Sequence, residues 1–307
     1  MAQGFAGLAS AQWRGETHSV RQVMPLFDAA VAIDPEYVWV QREAGWAEIW
    51  AENPDAARLR FERALDISND DANALYGLGR AAYQSGAYEE ALGHFRNALQ
   101  KDETEVLARV YLVQSLRKLR RYRQAIREAD RAIKDTPDVT SFYYEKAKAQ
   151  KSIERRGDAL ETLKHAVSLF PDNGFLLYHY ADTLTDDAEY ADALVIIDRV
   201  IATDNVDEID WGLKAFIAIQ LERYDLAKSA AFESLKIAPD YAWAEYYLAL
   251  ASTYSDDTET AVTRFDRAMS AGLPDYMVSD FVAALTSQAK YAQALTVRIR
   301  HSIKVAD

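Results

Sequence analysis

The sequence predicts an all-α protein built as a tandem array of helix–turn–helix units, and three observations carry that prediction. Small side chains return at a constant 34-residue step. Each interval holds two apolar-periodic stretches separated by a short polar turn. Glycine (12) and proline (7) are too scarce in 307 residues for a protein of short strands and frequent tight turns.

The step is seen most clearly in Ala57, Ala91, Ala125, Ala159, Ala193, Ala227 and Ala261, seven in succession without a miss. A second series runs Ala30, Ala64, Ala98, Ala132, Ala166, Val200, Ser234, Ala268. A third, mostly of larger side chains, is Phe27, Phe61, Phe95, Ala129, Leu163, Ile197, Ala231, Phe265. A fourth is small again: Gly45, Gly79, Val113, Ala147, Ala181, Ala215, Ala249. Ala91 and Ala98 lie seven residues apart and so share one helix face, with Phe95 between them. Small residues at facing positions let two helix axes approach toward the short end of about 8–10 Å, and the phenylalanine fills the wider gap.

Taken in order, the opening unit covers residues 2–37 and carries two extra residues near Thr17-His18. Seven regular units follow over 38–275, each with a first helix, a turn such as Ser85-Gly86-Ala87 or Asp186-Asp187-Ala188, and a second helix. Pro35, Pro137, Pro171 and Pro239 fall in phase at unit ends, where a residue without an N–H stops the second helix. The last unit, 276–307, has lost one residue and places Arg298 and His301 where an aromatic and an alanine are expected. Both terminal units are expected to act as caps whose outer face meets water. The alternation over Thr296–Val305 leaves a frayed or extended end open.

These residues resemble the tetratricopeptide repeat (TPR) family. The stretch 72–105 carries Leu78-Gly79, Tyr88, Ala91, Phe95 and Ala98 in the family's order, and 106–139 carries Tyr122, Ala125, Ala132 and Pro137. The resemblance covers nearly the whole chain and implies one right-handed α-solenoid of about nine repeats. It also implies that the first helices of successive units line a concave groove, where variable positions contact a ligand. Carried over residue by residue, that face holds Trp39, Arg42, Trp46 and Trp50, then Tyr76, Arg80 and Tyr83, then Gln114, Arg117 and Lys118. Tyr144, Lys148 and Lys151 follow, then Phe175, Tyr178, Asp182 and Thr185, and finally Phe216, Trp243, Tyr246 and Tyr254. Some of these aromatics are expected to pack between helices rather than face the groove.

The groove's middle third is cationic in a chain of net charge −13. The expected function is a non-catalytic protein–protein interaction scaffold that holds an acidic segment or a C-terminal carboxylate of a partner. Some family members clamp chaperone tails with a fixed Lys/Asn/Lys/Arg set; here Arg42 and Trp46, or Val110 and Gln114, occupy the matching places, which disfavours a chaperone-tail receptor. Two alternatives stay open. One is a glycan-binding module of a polysaccharide-export or glycosyl-transfer system, using Trp39, Trp46 and Trp50 as platforms. The other is the regulatory part of a larger enzyme.

A second charge pattern is a basic run from Arg117 to Lys134 followed by an acidic one from Asp182 to Asp210. It suits a dipolar partner or head-to-tail pairing of two copies, so a homo-oligomer is among the expected states. The net charge argues against nucleic acid as the partner, and no apolar run approaches a membrane span of about 20 residues. Cysteine is absent, which excludes disulfides, zinc–thiolate sites and thiol nucleophiles. His18, His94, His165, His179 and His301 show no metal-ligand spacing, so no metal is expected. The Gly77-Leu78-Gly79-Arg80-Ala81-Ala82 stretch follows no strand and reads as repeat packing rather than a dinucleotide loop. Asp186-Asp187 and Asp256-Asp257 are expected to cap helix N-termini. No catalytic residue and no cofactor are expected. The start, Met1 to Phe5, lacks signal-peptide character, so the expected compartment is the cytoplasm, or the periplasm after removal of a leader.

Overall fold

A computed structural model describes residues 20–302; most of the opening unit's first half, including Thr17-His18, and the tail beyond Ser302 lie outside the described residues. Seventeen helices and no strands occur among them. They are α1 (Val20–Ile33), α2 (Val38–Trp50), α3 (Pro54–Ile67), α4 (Ala72–Gln84), α5 (Tyr88–Lys101), α6 (Val106–Lys118), α7 (Tyr122–Asp135) and α8 (Thr140–Lys151). Then come α9 (Arg156–Leu169), α10 (Gly174–Asp186), α11 (Tyr190–Ile201), α12 (Glu208–Gln220), α13 (Tyr224–Ile237), α14 (Ala242–Tyr254), α15 (Thr258–Ser270), α16 (Met277–Ser287) and α17 (Tyr291–Ser302). Contacts group the chain into two compact units, Met1–Arg155 and Arg156–Asp307. The boundary falls inside the repeat 140–173, between its two helices.

The periodic residues are the core of both units. All seven alanines from Ala57 to Ala261 are wholly buried, and so are Phe27, Phe61, Phe95, Leu163, Ile197 and Phe265. Each of Pro35, Pro137, Pro171 and Pro239 stands two residues beyond the end of a second helix.

The turns inside the repeats have a period of their own. Glu52, Gly86, Arg120, Glu154, Ala188, Glu222 and Asp256 have φ near +60 to +80°, at 34-residue steps, and Ala289 follows after 33. The next N–H in each turn then reaches back across the helix end: Ala87 to the Ala82 carbonyl at 2.9 Å, Arg121 to Leu116 at 2.8 Å, Arg223 to Ala218 at 2.8 Å. This is a Schellman-type closure, which satisfies carbonyls left open at the end of the first helix.

Two expectations are corrected. Asp257 does cap α15, accepting from the Thr260 N–H, but Asp186 and Asp187 lie at the C-terminal end of α10. Thr296–Ser302 is helical, part of α17 rather than an extended tail. In the last repeat α17 leaves Tyr291, Leu295 and Ile299 exposed at 65%, 58% and 53%. His301 fills its alanine position by burying its ring edge-on against Phe265, 5.5 Å between centroids, with Nε2 2.9 Å from Asp266 Oδ1.

Candidate partner-binding face

In the first compact unit, α2, α4, α6 and α8 contact one another in sequence, and the predicted face is built across these contacts. Its floor is aromatic. The Trp46 ring meets Phe61 edge-on and leans over Tyr76, both at 5.1 Å, while its Nε1 donates to Asn73 Oδ1 at 2.9 Å. Tyr76 is buried among Trp46, Phe95 and Tyr111, so it is a core residue of this face and not a contact surface. Its hydroxyl accepts from Arg80 Nη1 at 3.3 Å, and the Arg80 guanidinium lies 4.2 Å from the Tyr111 ring centre. A cation seated on a ring face in this way keeps its charge and loses its freedom. Tyr83 packs edge-on against Tyr88 and Tyr111, and burial pushes its hydroxyl up to about 12.

The five predicted cations divide. Arg117 is committed: its Nε donates to Glu145 Oε2 at 2.6 Å, and Glu145 is buried. Lys151 is half-buried and holds an interaction of its own. Arg80 is half-buried on Tyr111. Lys118 and Lys148 are exposed, with Lys118 5.9 Å from the Tyr88 ring centre and Lys148 donating to the Tyr144 hydroxyl at 2.6 Å. Arg42 is also occupied, paired at 2.9 Å with Asp71, the carboxylate that caps α4. Trp39 leans on Tyr37, Gln114 is half-buried, and Trp50 stands 74% exposed.

In the second compact unit the corresponding helices are α10, α12, α14 and α16, and their face is aromatic with little cationic character. Tyr178 and Phe175 pack edge-on against His179, and Tyr178's hydroxyl is held well above the usual range by burial and by Asp182. Asp182 and Thr185 are half-buried, and Asp182 has a partner of its own. Phe216 and Trp243 converge on Tyr247 at 5.9 and 6.2 Å. Tyr246 is buried against Phe265 and Phe281, whereas Tyr254 stacks on Tyr224. Lys214, over Trp211 at 5.2 Å, is neutralised by Asp198 at 2.8 Å. At the start of α12, Asp210 is buried and accepts from the Asp207 N–H, and burial raises its carboxyl to about 6.

The sequence reading overlooked Glu145, Tyr111, Asn73, Trp211 and Tyr247. The signal for two of them was present: Glu43, Gly77, Tyr111 and Glu145 stand 34 residues apart, so one position of the repeat points between adjacent first helices. Among the described residues no group of histidine, aspartate and glutamate side chains is disposed to hold a metal ion. No helix among them is long and apolar enough to cross a membrane.

Comparison with protein families matches residues 42–105 and 82–151 to the tetratricopeptide repeat. The chain is a tetratricopeptide-repeat protein. The TPR assignment accounts for the 34-residue step and for the pairing of helices. Among characterised proteins it is similar to the Hsp70-Hsp90 organising protein of Plasmodium falciparum, 25% identical over 107 residues, covering 35% of this chain and 42% of that one. It is also similar to anaphase-promoting complex subunit 3 of Schizosaccharomyces pombe, 22% identical over 151 residues, covering 49% of this chain and 23% of the other. The matched region is thus less than half the length of either relative. Among solved structures, a TPR protein from Parabacteroides merdae superposes with a TM-score of 0.62 at 13% identity, over 87% of this chain and 98% of that one. The Cut9–Hcn1 hetero-tetramer of the APC/C gives 0.59 at 16% identity, over 88% and 52%. These likenesses establish an α-solenoid of TPR units.

Proposed function

We propose that this TPR protein is a non-catalytic interaction scaffold that binds an extended acidic segment of a partner protein along α4, α6 and α8. The observation that carries this reading is the pairing of exposed lysines with tyrosine rings. Lys118 lies by Tyr88, Lys148 by Tyr144, and Arg80 covers Tyr111. Each cation is held beside an apolar surface, so a carboxylate-bearing chain would gain charge pairing and ring contact together. Two relatives are, by name, an organiser of chaperones and a subunit of a large assembly, which agrees with a scaffold role. The matching places for a chaperone-tail clamp hold a committed Arg42, a packed Trp46 and a buried Val110, so this chain binds something else. Arg117 serves the face as a strut rather than a contact. The glycan reading is weaker, since Trp46 is packed into the floor and only Trp50 stands out as an open platform.

The test is fluorescence anisotropy with synthetic peptides, acidic against neutral and free C-terminus against amide. Binding of acidic peptides should fall steeply with added salt and be lost in the Lys118→Glu, Lys148→Glu double variant. Equal affinity of acidic and neutral peptides, or indifference to the double variant, would sink the reading.

A further inference from the structure

We propose that α7 and the turn after α8 form a binding site for a phosphomonoester carried on a phosphorylated segment of a partner protein. The observation behind it is a like-charged pair where the neighbouring repeat has an ion pair. There, Arg121 meets Glu89 at two points, Nη1 to Oε1 at 3.1 Å and Nη2 to Oε2 at 2.9 Å, and ties the start of α7 to the start of α5. One 34-residue step later the same two positions are Arg123 and Arg155. A second guanidinium has replaced the carboxylate of the pair.

Both arginines line a gap of about 590 Å³, together with Ile126, Arg127, Asp130 and Ile153. Ile126 is buried and Ile153 half-buried, which gives the gap an apolar floor. Arg123 and Arg127 are exposed and stand four residues apart on one side of α7. Their side chains make no ion pair and no hydrogen bond among the described residues. Arg155, also exposed, holds an interaction of its own. The acid at the rim is already neutralised, because Asp130 pairs with Lys146 at 2.7 Å. Other arginines of the basic run are spent: Arg117 on Glu145, Arg121 on Glu89 and Arg131 on Glu128.

Charge and shape select the ligand. One carboxylate satisfies one guanidinium, as Glu89 does for Arg121. Two free arginines with a third beside them suit a phosphomonoester, which near pH 7 carries about −1.5 to −2 charge and three acceptor oxygens. Guanidinium forks bind phosphate oxygens in pairs. The apolar floor strengthens those bonds and offers contact to the carbon stem that bears the phosphate. A broad polyanion fits poorly. The chain carries a net charge of −13, and Glu154 stands exposed in the same turn as Ile153, so a membrane or a nucleic-acid duplex would meet repulsion beyond the gap. The site uses a second helix and a turn, and shares none of Arg80, Lys118 and Lys148 with the face on α4, α6 and α8.

The test is binding of the whole chain to labelled, neutral-flanked peptides carrying phosphoserine or phosphotyrosine, against the same peptides with glutamate or no charge. A phosphopeptide should bind at least about tenfold more tightly than its glutamate counterpart, and inorganic phosphate should compete only weakly. Arg123→Glu with Arg127→Ala should abolish that binding without lowering the melting temperature, because Arg123→Glu sets against Arg155 the carboxylate that Glu89 sets against Arg121. Arg127→Ala alone should weaken it with the fold unchanged. Lys118→Glu with Lys148→Glu should leave it intact, which separates this site from the acidic-segment face. The proposal is overturned if glutamate peptides or inorganic phosphate bind as tightly, or if the arginine variants bind as wild type does. Loss of binding in the lysine variant would overturn it too, as would capture by phosphatidylserine vesicles with no phosphopeptide binding.

Discussion

A β-carbon placed on Gly79 would lie 2.4 Å from Cε1 of Phe95. The phenylalanine ring occupies the space that a side chain on the facing helix would need, and the ring is wholly buried and cannot swing aside. Phe61 stands in the same relation to Gly45 and Gly77. The repeat's small and large residues are therefore two halves of one contact.

Gly79→Ala should accordingly destabilise the protein, although alanine raises helix propensity by about 1 kcal/mol. Overpacking of this kind costs about 1–3 kcal/mol. Combining it with Phe95→Leu should recover part of the loss, because the shorter side chain vacates the contested space. Thermal unfolding of the three variants checks this; an unchanged melting temperature for Gly79→Ala would refute the contact.

Backbone strain at the repeat turns predicts the opposite sign for glycine. Of the eight left-handed turn residues only Gly86 is free of a Cβ penalty. Ala188→Gly and Glu222→Gly should each stabilise by about 0.5–1 kcal/mol, and Gly86→Ala should cost a similar amount. Chemical denaturation midpoints provide the comparison.

Glu145 is buried and its partner Arg117 is half-buried, so removing Arg117 leaves a buried charge without compensation. Arg117→Met should cost about 3 kcal/mol, and the joint Arg117→Met, Glu145→Gln variant should regain most of it. Lys148→Met should be neutral to within about 0.5 kcal/mol, since Lys148 is exposed. Equal stability of Arg117→Met and Lys148→Met would contradict the division of the cations.

Asp210 gives a pH dependence. Its carboxyl is raised to about 6 by burial, above its unfolded value of 3.8. The folded state therefore binds the proton more tightly, and the associated stability is present below pH 3.8 and lost as pH rises through 6. Asp210→Asn keeps an oxygen to accept from the Asp207 N–H and removes the titration. Relative to wild type it should gain about 2 kcal/mol between pH 4 and pH 7, read as a widening gap in melting temperature. A constant gap would show that Asp210 does not titrate in this window.

The sequence by itself determined the repeat. Tiny residues at Ala91 and Ala98 and a phenylalanine at Phe95 leave two helices one close way to pack, and that local constraint is written into composition and spacing. The family resemblance further implied that Lys118 and Lys148 line the groove face of first helices. Tertiary structure alone decided which cations are spent. Arg117 and Glu145 lie 28 residues apart, out of step with the 34-residue period, and meet only because α6 and α8 lie side by side. Tyr76 and Trp46 read as surface until Phe61 and Phe95 pack against them from the second helices of their own repeats and Tyr111 from the next repeat. The exposure of Leu295 likewise needed the fold, because leucine on a second helix is core at Leu92 and exposed at Leu295. Burial there is a property of the neighbour, which no single segment encodes.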